Sequence, residues 1–150
     1  QQTLFLKAFL EYCQEHLSEF PWETTNSFES SEWNVRTEQH TSYGNLDIVI
    51  GSLSQGFLCV IENKVDASEE REQLTRYSHW LGTQKKAYPV QALIYLTPTG
   101  SRSNTSSKYR YYPLSYNKDI VQWLDQTLDH IEATQVRETV FQYQQLVKTL

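Results

Sequence analysis

The chain has 150 residues, a length that suits one domain with its own hydrophobic core. Its formal net charge is -5 at pH 7, which argues against a generally basic nucleic-acid-binding protein. Binding of nucleic acid would need a local basic surface. The two cysteines, Cys13 and Cys59, lie far apart in apolar segments and form no CxxC pair. They indicate buried thiols in a reducing compartment, not a disulfide or zinc framework, so we expect a cytoplasmic protein.

The sequence contains no membrane or export segment that we recognise. No apolar run approaches the ~20 residues of a membrane span. Residues 1–17 carry Glu11 and Glu15 and lack a small-residue cleavage site, so they do not form a signal peptide. Because the chain has no Met, even at position 1, the sequence leaves open a functional N-terminal segment that precedes it.

The first half of the chain predicts a helix followed by three strands. Apolar residues from Leu6 to Leu17 recur at helical spacing, which predicts an amphipathic helix over residues 3–18. Residues 33–41 alternate loosely, as a half-exposed strand does, and residues 42–45 are a turn signal. Strands 46–50 and 57–64 flank a turn, 51–56, that has a glycine at each end, so we predict a hairpin.

The second half predicts a helix between strands, then further helices. Asp66 or Ser68 can cap a helix over 69–81, with Glu69, Glu70 and Glu72 in its first turn and Gly82 as its stop. Strand 90–97, a Ser-rich loop 98–108, strand 109–116 and helix 117–128 follow. The last helix is predicted from the spacing of Val136, Val140, Tyr143, Val147 and Leu150. The order predicts an α/β fold, a mixed central sheet with helices on both faces.

Three ionisable residues fall on one face of the predicted hairpin. Strand side chains alternate between faces, so Glu62 and Lys64 share a face with Val60. If paired residue numbers add to 107, Asp47 lies diagonal to Glu62; if they add to 109, the two are directly opposite. Either register places Asp47, Glu62 and Lys64 within ~5–8 Å of one another at Cβ.

Two carboxylates at this separation need positive charge to stay ionised near the centre of a sheet. Lys64 supplies one charge, and a divalent cation would supply the rest. Carboxylates and waters suit Mg²⁺ or Mn²⁺, which prefer oxygen ligands. A metal with an open coordination position and a neighbouring lysine can activate water against a phosphodiester. Gln73 and Tyr77, four residues apart on the next helix, lie on one face that can turn toward this cluster.

These residues form an ordered set that resembles the PD-(D/E)XK nuclease superfamily. The set is G-x-x-D from Gly44 to Asp47, E-N-K from Glu62 to Lys64 after an apolar strand, and Q-x-x-x-Y from Gln73 to Tyr77. The resemblance implies a single nuclease-like domain over residues 1–150 with a restriction-endonuclease-like core of order αβββαβ.

The resemblance also implies roles for individual residues. Asp47, Glu62 and the backbone carbonyl of Asn63 would bind the metal, and Lys64 would orient or help to deprotonate the attacking water. Gln73 and Tyr77 would support the site or contact the DNA backbone. Leu46 replaces the family's proline before the aspartate, at a position that varies.

Further acidic ligands are also expected. Glu38, on the strand before Asp47, fits a position where the superfamily often carries another acid. Many members also use a glutamate of the first helix, for which Glu11 and Glu15 are candidates unless it lies before residue 1. His40 is a weak candidate for contacting phosphate.

The basic residues concentrate at Lys85 and Lys86 and at Arg102, Lys108 and Arg110. They are either solvated loop charge or a phosphate-contacting rim around the metal site. The resemblance favours a Mg²⁺- or Mn²⁺-dependent deoxyribonuclease with DNA as its partner. An inactive nuclease-fold interaction module and a phosphoesterase acting on RNA stay open as alternatives. Cutting both strands of a duplex usually needs two active sites, which makes a homodimer plausible.

Overall fold

The computed structural model of the protein describes residues 2–23, 28–65, 73–102 and 109–150. The first half contains α1 (Gln2–His16), β1 (Asn34–Thr41), β2 (Gly44–Ser52) and β3 (Phe57–Asn63). The second half contains α2 (Gln73–Thr83), β4 (Val90–Thr97), β5 (Tyr112–Ser115), a π-helix (Tyr116–Ile120), α3 (Val121–Leu128) and α4 (Thr134–Val147). Within these ranges no helix is long and apolar enough to cross a membrane.

The five strands form one mixed sheet in the order β1-β2-β3-β4-β5. The first three strands are antiparallel neighbours, whereas β4 and β5 run parallel to β3. A parallel neighbour requires a crossover, and α2 lies in the crossover from β3 to β4. The predicted α/β architecture with its αβββαβ core is confirmed.

Side-chain alternation along β3 divides the core into two layers. Cys59 and Ile61 face a cluster that contains buried residues of α1, α3 and α4. Leu58 and Val60 face a smaller cluster that contains the buried residues of α2. Helices therefore cover both faces of the sheet, as the continuous apolar run of β3 predicts.

The β2–β3 hairpin adopts the register in which paired residue numbers add to 109. Ile48 pairs with Ile61, and Ser52 pairs with Phe57. The predicted turn over 51–56 is too long, because β2 continues through Ser52 and only four residues separate the strands. The predicted turn over 42–45 is also too long, because β2 begins at Gly44.

The junction after β5 differs most from the predicted pattern. The strand predicted over 109–116 is shorter at both ends, because it begins only at Tyr112 and the chain turns into a π-helix at Tyr116. The Asp119 carboxylate accepts hydrogen bonds from the Ser115 backbone N–H at 2.7 Å and from the Ser115 hydroxyl at 2.9 Å. These bonds close the turn and end the strand.

The last helix buries Val147 and packs Val140 against the core as predicted, but Gln144 is buried where Tyr143 was expected. Tyr143 is 48% exposed, and Leu150 lies beyond the end of the helix at Val147. The Gln144 side-chain amide donates to the Val121 carbonyl at 2.9 Å, which explains why a polar residue lies inside. Helix α2 extends through Thr83, past the expected stop at Gly82. The expected cap at Asp66 or Ser68 and the acidic first turn, Glu69, Glu70 and Glu72, lie outside the described residues.

Candidate active site

Asp47 and Glu62 meet where the β2–β3 ladder ends. The last ladder pair is Ile48 with Ile61, so the next two residues, Asp47 and Glu62, are opposite one another. Beyond this point the Asp47 carboxylate accepts a hydrogen bond from the Asn63 backbone N–H at 2.8 Å. The side chain of Asp47 thus replaces a ladder bond and keeps the two strand ends together.

The Glu62 carboxyl group is buried without a full set of partners. Its residue is 1% exposed, and its Oε2 atom has no hydrogen-bond partner. Burial, followed by the nearby negative charge of Asp47, raises the pKa of Glu62 to about 7, while Lys64 and the Tyr77 hydroxyl act in the opposite direction. A buried carboxylate oxygen without a hydrogen-bond partner is unfavourable, and a bound cation would supply the missing interaction.

Lys64 lies beside Glu62, as the shared strand face predicts. The Lys64 Nζ atom is 3.4 Å from Glu62 Oε1, and the Lys64 side chain is 15% exposed. The Lys64 backbone N–H donates to the Leu96 carbonyl of β4 at 2.8 Å. The lysine is therefore fixed by the sheet at its backbone, while its ammonium group reaches the carboxylate.

Gln73 and Tyr77 form one connected pair on α2. Gln73 Nε2 donates to the Tyr77 hydroxyl at 2.7 Å, and this hydroxyl donates to the Asn45 carbonyl of β2 at 2.6 Å. Tyr77 is 1% exposed, and burial raises its pKa to about 12. The pair thus joins the beginning of α2 to the start of β2, near the two carboxylates. Gln73 Oε1 is a second buried oxygen without a partner.

Asn63 and Tyr116 contribute contacts that the sequence pattern did not predict. The Tyr116 hydroxyl donates to Asn63 Oδ1 at 2.8 Å from the sheet face opposite α2. Tyr116 falls in a predicted strand far from β3 in sequence, so no spacing could relate it to the site. It also lines a groove of about 730 Å³ on the α1 face, together with Trp33, Trp123 and Tyr143.

The Asn63 carbonyl points toward the Asp47 side of β3. In the parallel ladder Asn63 pairs with Leu96, and Leu96 accepts from the Lys64 N–H. The backbone N–H of Lys64 therefore points toward β4, and successive residues of a strand direct their backbone groups to opposite sides. The N–H and C=O of Asn63 itself both point toward β2, where the N–H meets Asp47. The expected third metal donor is thus on the same side as the carboxylates.

The weaker acidic candidates do not join this pair. Glu38 lies between two paired residues of β1, opposite Asp47, but it is exposed and its φ is 52°. Among the described residues, no group of three or more His, Cys, Asp or Glu side chains could hold a metal ion. Glu38, Glu11 and Glu15 therefore add no ligand in this arrangement. His40 is exposed and its Nδ1 lies 2.6 Å from Asn45 Oδ1.

The structure does not bring the predicted basic rim together. Lys85 and Lys86 follow the C-terminal end of α2, a helix of 11 residues, so they lie about 16 Å beyond Gln73 along the helix axis. Their expected place around the carboxylates is incorrect, because α2 runs away from the site. Arg102 is exposed on the loop after β4, at the same end of the sheet as Asn63. Lys108 lies outside the described residues.

Arg110, the fifth residue of the basic concentrations, has a partner elsewhere. Its guanidinium group forms an ion pair with Glu19 and donates to the Ser18 carbonyl at 2.8 Å. It is therefore held against the segment after α1.

The donors present fit a hard divalent cation. Asp47 and Glu62 offer carboxylate oxygens, and Asn63 offers a carbonyl oxygen on the same side of β3. Mg²⁺ and Mn²⁺ bind oxygen donors and keep several waters, so a site with few protein ligands suits them. The unpartnered Oε2 of buried Glu62 is the feature that such a cation would satisfy.

The comparison with protein families agrees with this geometry. A family model described as the PD-(D/E)XK nuclease superfamily matches residues 1–148. No curated protein and no solved structure matched the chain. The family match spans every strand and helix of the fold, including the carboxylate pair, and confirms the resemblance found in the sequence.

Proposed function

Because the chain belongs to the PD-(D/E)XK nuclease superfamily, we propose that it hydrolyses phosphodiester bonds of DNA with Mg²⁺ or Mn²⁺ as cofactor. The observation that carries the proposal is the meeting of Asp47 and Glu62 at the strand ends, with Lys64 Nζ at 3.4 Å from Glu62. Asp47, Glu62 and the Asn63 carbonyl would hold the cation. A bound cation supplies Lewis-acid activation of water and neutralises charge that develops on the phosphate.

The chain's own residues would perform three tasks in the reaction. The Glu62 and Asp47 carboxylates would hold the cation beside the reacting phosphate. The Lys64 ammonium group, held by Glu62, donates a hydrogen bond to the attacking water or to a phosphate oxygen. The new bond forms between the water oxygen and phosphorus, the bond from phosphorus to the leaving sugar oxygen breaks, and that oxygen takes up a proton.

Tyr77 and Gln73 support this arrangement from α2. The Tyr77 hydroxyl accepts from Gln73 and donates to the Asn45 carbonyl, two residues before Asp47. The same hydroxyl lowers the pKa of Glu62, which favours the ionised form that a cation requires. The pair thus positions the Asp47 strand and stabilises the charge of Glu62.

The test is cleavage of single-stranded DNA, duplex DNA and RNA of one sequence, with Mg²⁺ or Mn²⁺ and with EDTA. We expect wild-type cleavage of DNA that EDTA abolishes and that Lys64→Ala and Asp47→Asn each lower by about 100-fold or more. Lys148→Ala, at the exposed end of α4, is the matched control and should cleave like wild type. If the protein cleaves only RNA in a metal-dependent way, its substrate is RNA and not DNA. Wild-type protein that binds no Mn²⁺ and cuts neither polymer would contradict the proposal and favour an interaction module.

A further inference from the structure

The peptide at Asn63 is held from two sides. Its N–H donates to the Asp47 carboxylate, and its side-chain Oδ1 accepts from Tyr116 at 2.8 Å. Asn63 is the last residue of β3, and the β2–β3 ladder has already ended at Ile48 and Ile61. The Asn63 carbonyl belongs to the Asn63–Lys64 peptide, which the Lys64 N–H holds from the β4 side by its bond to the Leu96 carbonyl. On the β2 side, no backbone ladder bond holds this residue.

On the β2 side, the Asp47 bond alone is a poor means of holding Asn63. The same carboxylate would have to bind a cation, and a carboxylate shared between two partners can rotate away from one of them. The Tyr116 bond does not involve a metal ligand's carboxylate, so it can persist when the cation binds. It holds the Asn63 side chain, and thereby the residue, independently of Asp47.

Tyr116 is itself rigidly placed. Its residue is 9% exposed, and it is the first residue of the π-helix, a rare conformation that is frequent at functional sites. The turn is closed by the two bonds from Ser115 to the Asp119 carboxylate, which also accepts from the Tyr12 hydroxyl of α1 at 2.8 Å. The position of the Tyr116 ring is thus fixed relative to both β5 and α1.

We propose that Tyr116 is a positioning residue that, through the Asn63 side chain, orients the Asn63 carbonyl toward the cation. The inference rests on the proposed function, because it assumes a cation between Asp47 and Glu62. Groups that orient a metal ligand without touching the metal commonly change metal affinity by 10–100-fold when removed. Tyr116 acts from the face opposite Tyr77, so tyrosine hydroxyls support the two sides of the site.

The experiment measures Mn²⁺ affinity of the metal-free protein by electron paramagnetic resonance at pH 8, without DNA. The variants are Tyr116→Phe, Asn63→Ala and the double substitution; Asn63→Ala keeps the backbone carbonyl. Tyr112→Phe is the matched control, since its hydroxyl donates to the Glu19 carbonyl at 3.0 Å and its residue is similarly buried. Urea unfolding of each protein reports any general loss of stability.

We expect Tyr116→Phe and Asn63→Ala each to weaken Mn²⁺ binding by about tenfold, with no greater loss in the double variant. Tyr112→Phe should bind Mn²⁺ like wild type. If wild type binds Mn²⁺ and Tyr116→Phe binds it equally well, the inference is wrong while the proposed function stands. If the loss of Mn²⁺ affinity in the double variant equals the product of the two single losses, the inference is also wrong. Such independence would show that Tyr116 does not act through Asn63. A wild type that binds no Mn²⁺ would remove the proposed function and this inference together.

Discussion

Substituting Glu62 with glutamine should stabilise the metal-free protein, and should do so more strongly at high pH. The Glu62 carboxyl is almost fully buried, and this burial raises its pKa from the ordinary value of 4.5 to about 7. Between these two values the folded state binds more protons than the unfolded state. The contribution of Glu62 to the free energy of unfolding therefore falls as the pH rises through this window. Glutamine has nearly the same shape and carries no charge.

The size of the effect follows from the pKa difference. A separation of about 2.5 pH units corresponds to a total of about 3.4 kcal/mol, of which about 2.5 kcal/mol is lost between pH 5 and pH 8. We expect the stability advantage of Glu62→Gln over wild type to grow by about this amount between the two pH values. Titrating groups that do not interact with Glu62 change both proteins alike, so their effects cancel in the difference.

Urea unfolding in EDTA at pH 5 and pH 8 measures this difference. Glu138→Gln, an exposed position on α4, is the matched control and should show no growing advantage. With Mn²⁺ in place of EDTA, wild type should be stabilised by about 2.7 kcal/mol at 100 times its dissociation constant, and Glu62→Gln should be unchanged. A Glu62→Gln advantage that is the same at both pH values would refute the view that burial, with an unpartnered oxygen, disfavours the Glu62 charge.

Two further substitutions test the supports of the site by urea unfolding. Tyr77→Phe removes the bond to the Asn45 carbonyl and leaves the buried Gln73 amide without its partner, so the free energy of unfolding should fall by about 1–3 kcal/mol. The half-exposed Tyr143 is its control, and Tyr143→Phe should stay within about 0.5 kcal/mol of wild type. Asp119→Ala removes the acceptor of several hydrogen bonds at the π-helix and should cost about 2–3 kcal/mol, whereas Asp129→Ala, at an exposed position, should cost far less. Equal losses at Asp119 and Asp129 would contradict the role given to the Asp119 network.

The carboxylate pair could be predicted because its placement depends on local rules. Strand alternation fixes the face of Glu62 from the apolar residues before it, and turn length fixes what lies opposite. The sequence left two registers, and the four-residue turn after Ser52 selects the one that places Asp47 opposite Glu62. In both registers Asp47 lies on the same face of the sheet as Glu62, so the prediction of the site did not depend on the length of the turn.

The contacts that were missed depend on the packing of distant elements. Tyr116 and Asn63 are 53 residues apart, and their contact requires β5 to end at Ser115, where a π-helix begins. The spacing of apolar residues in the sequence does not predict this π-helix. The misplaced basic rim has a different cause. Lys85 and Lys86 are close to Tyr77 in sequence, but a helix carries the chain steadily away from its starting point, so sequence proximity did not indicate spatial proximity.

Strand β1 gives the sheet an edge that resists association with other strands. It pairs with β2, and among the described residues no strand covers its other side. Arg36 and Glu38 are exposed along it, and the left-handed backbone of Glu38 interrupts the row of hydrogen-bonding groups. Charges and local distortions of this kind prevent edge-to-edge growth of sheets. Pairing of β1 with a strand of another molecule, and aggregation through this edge, are thereby disfavoured.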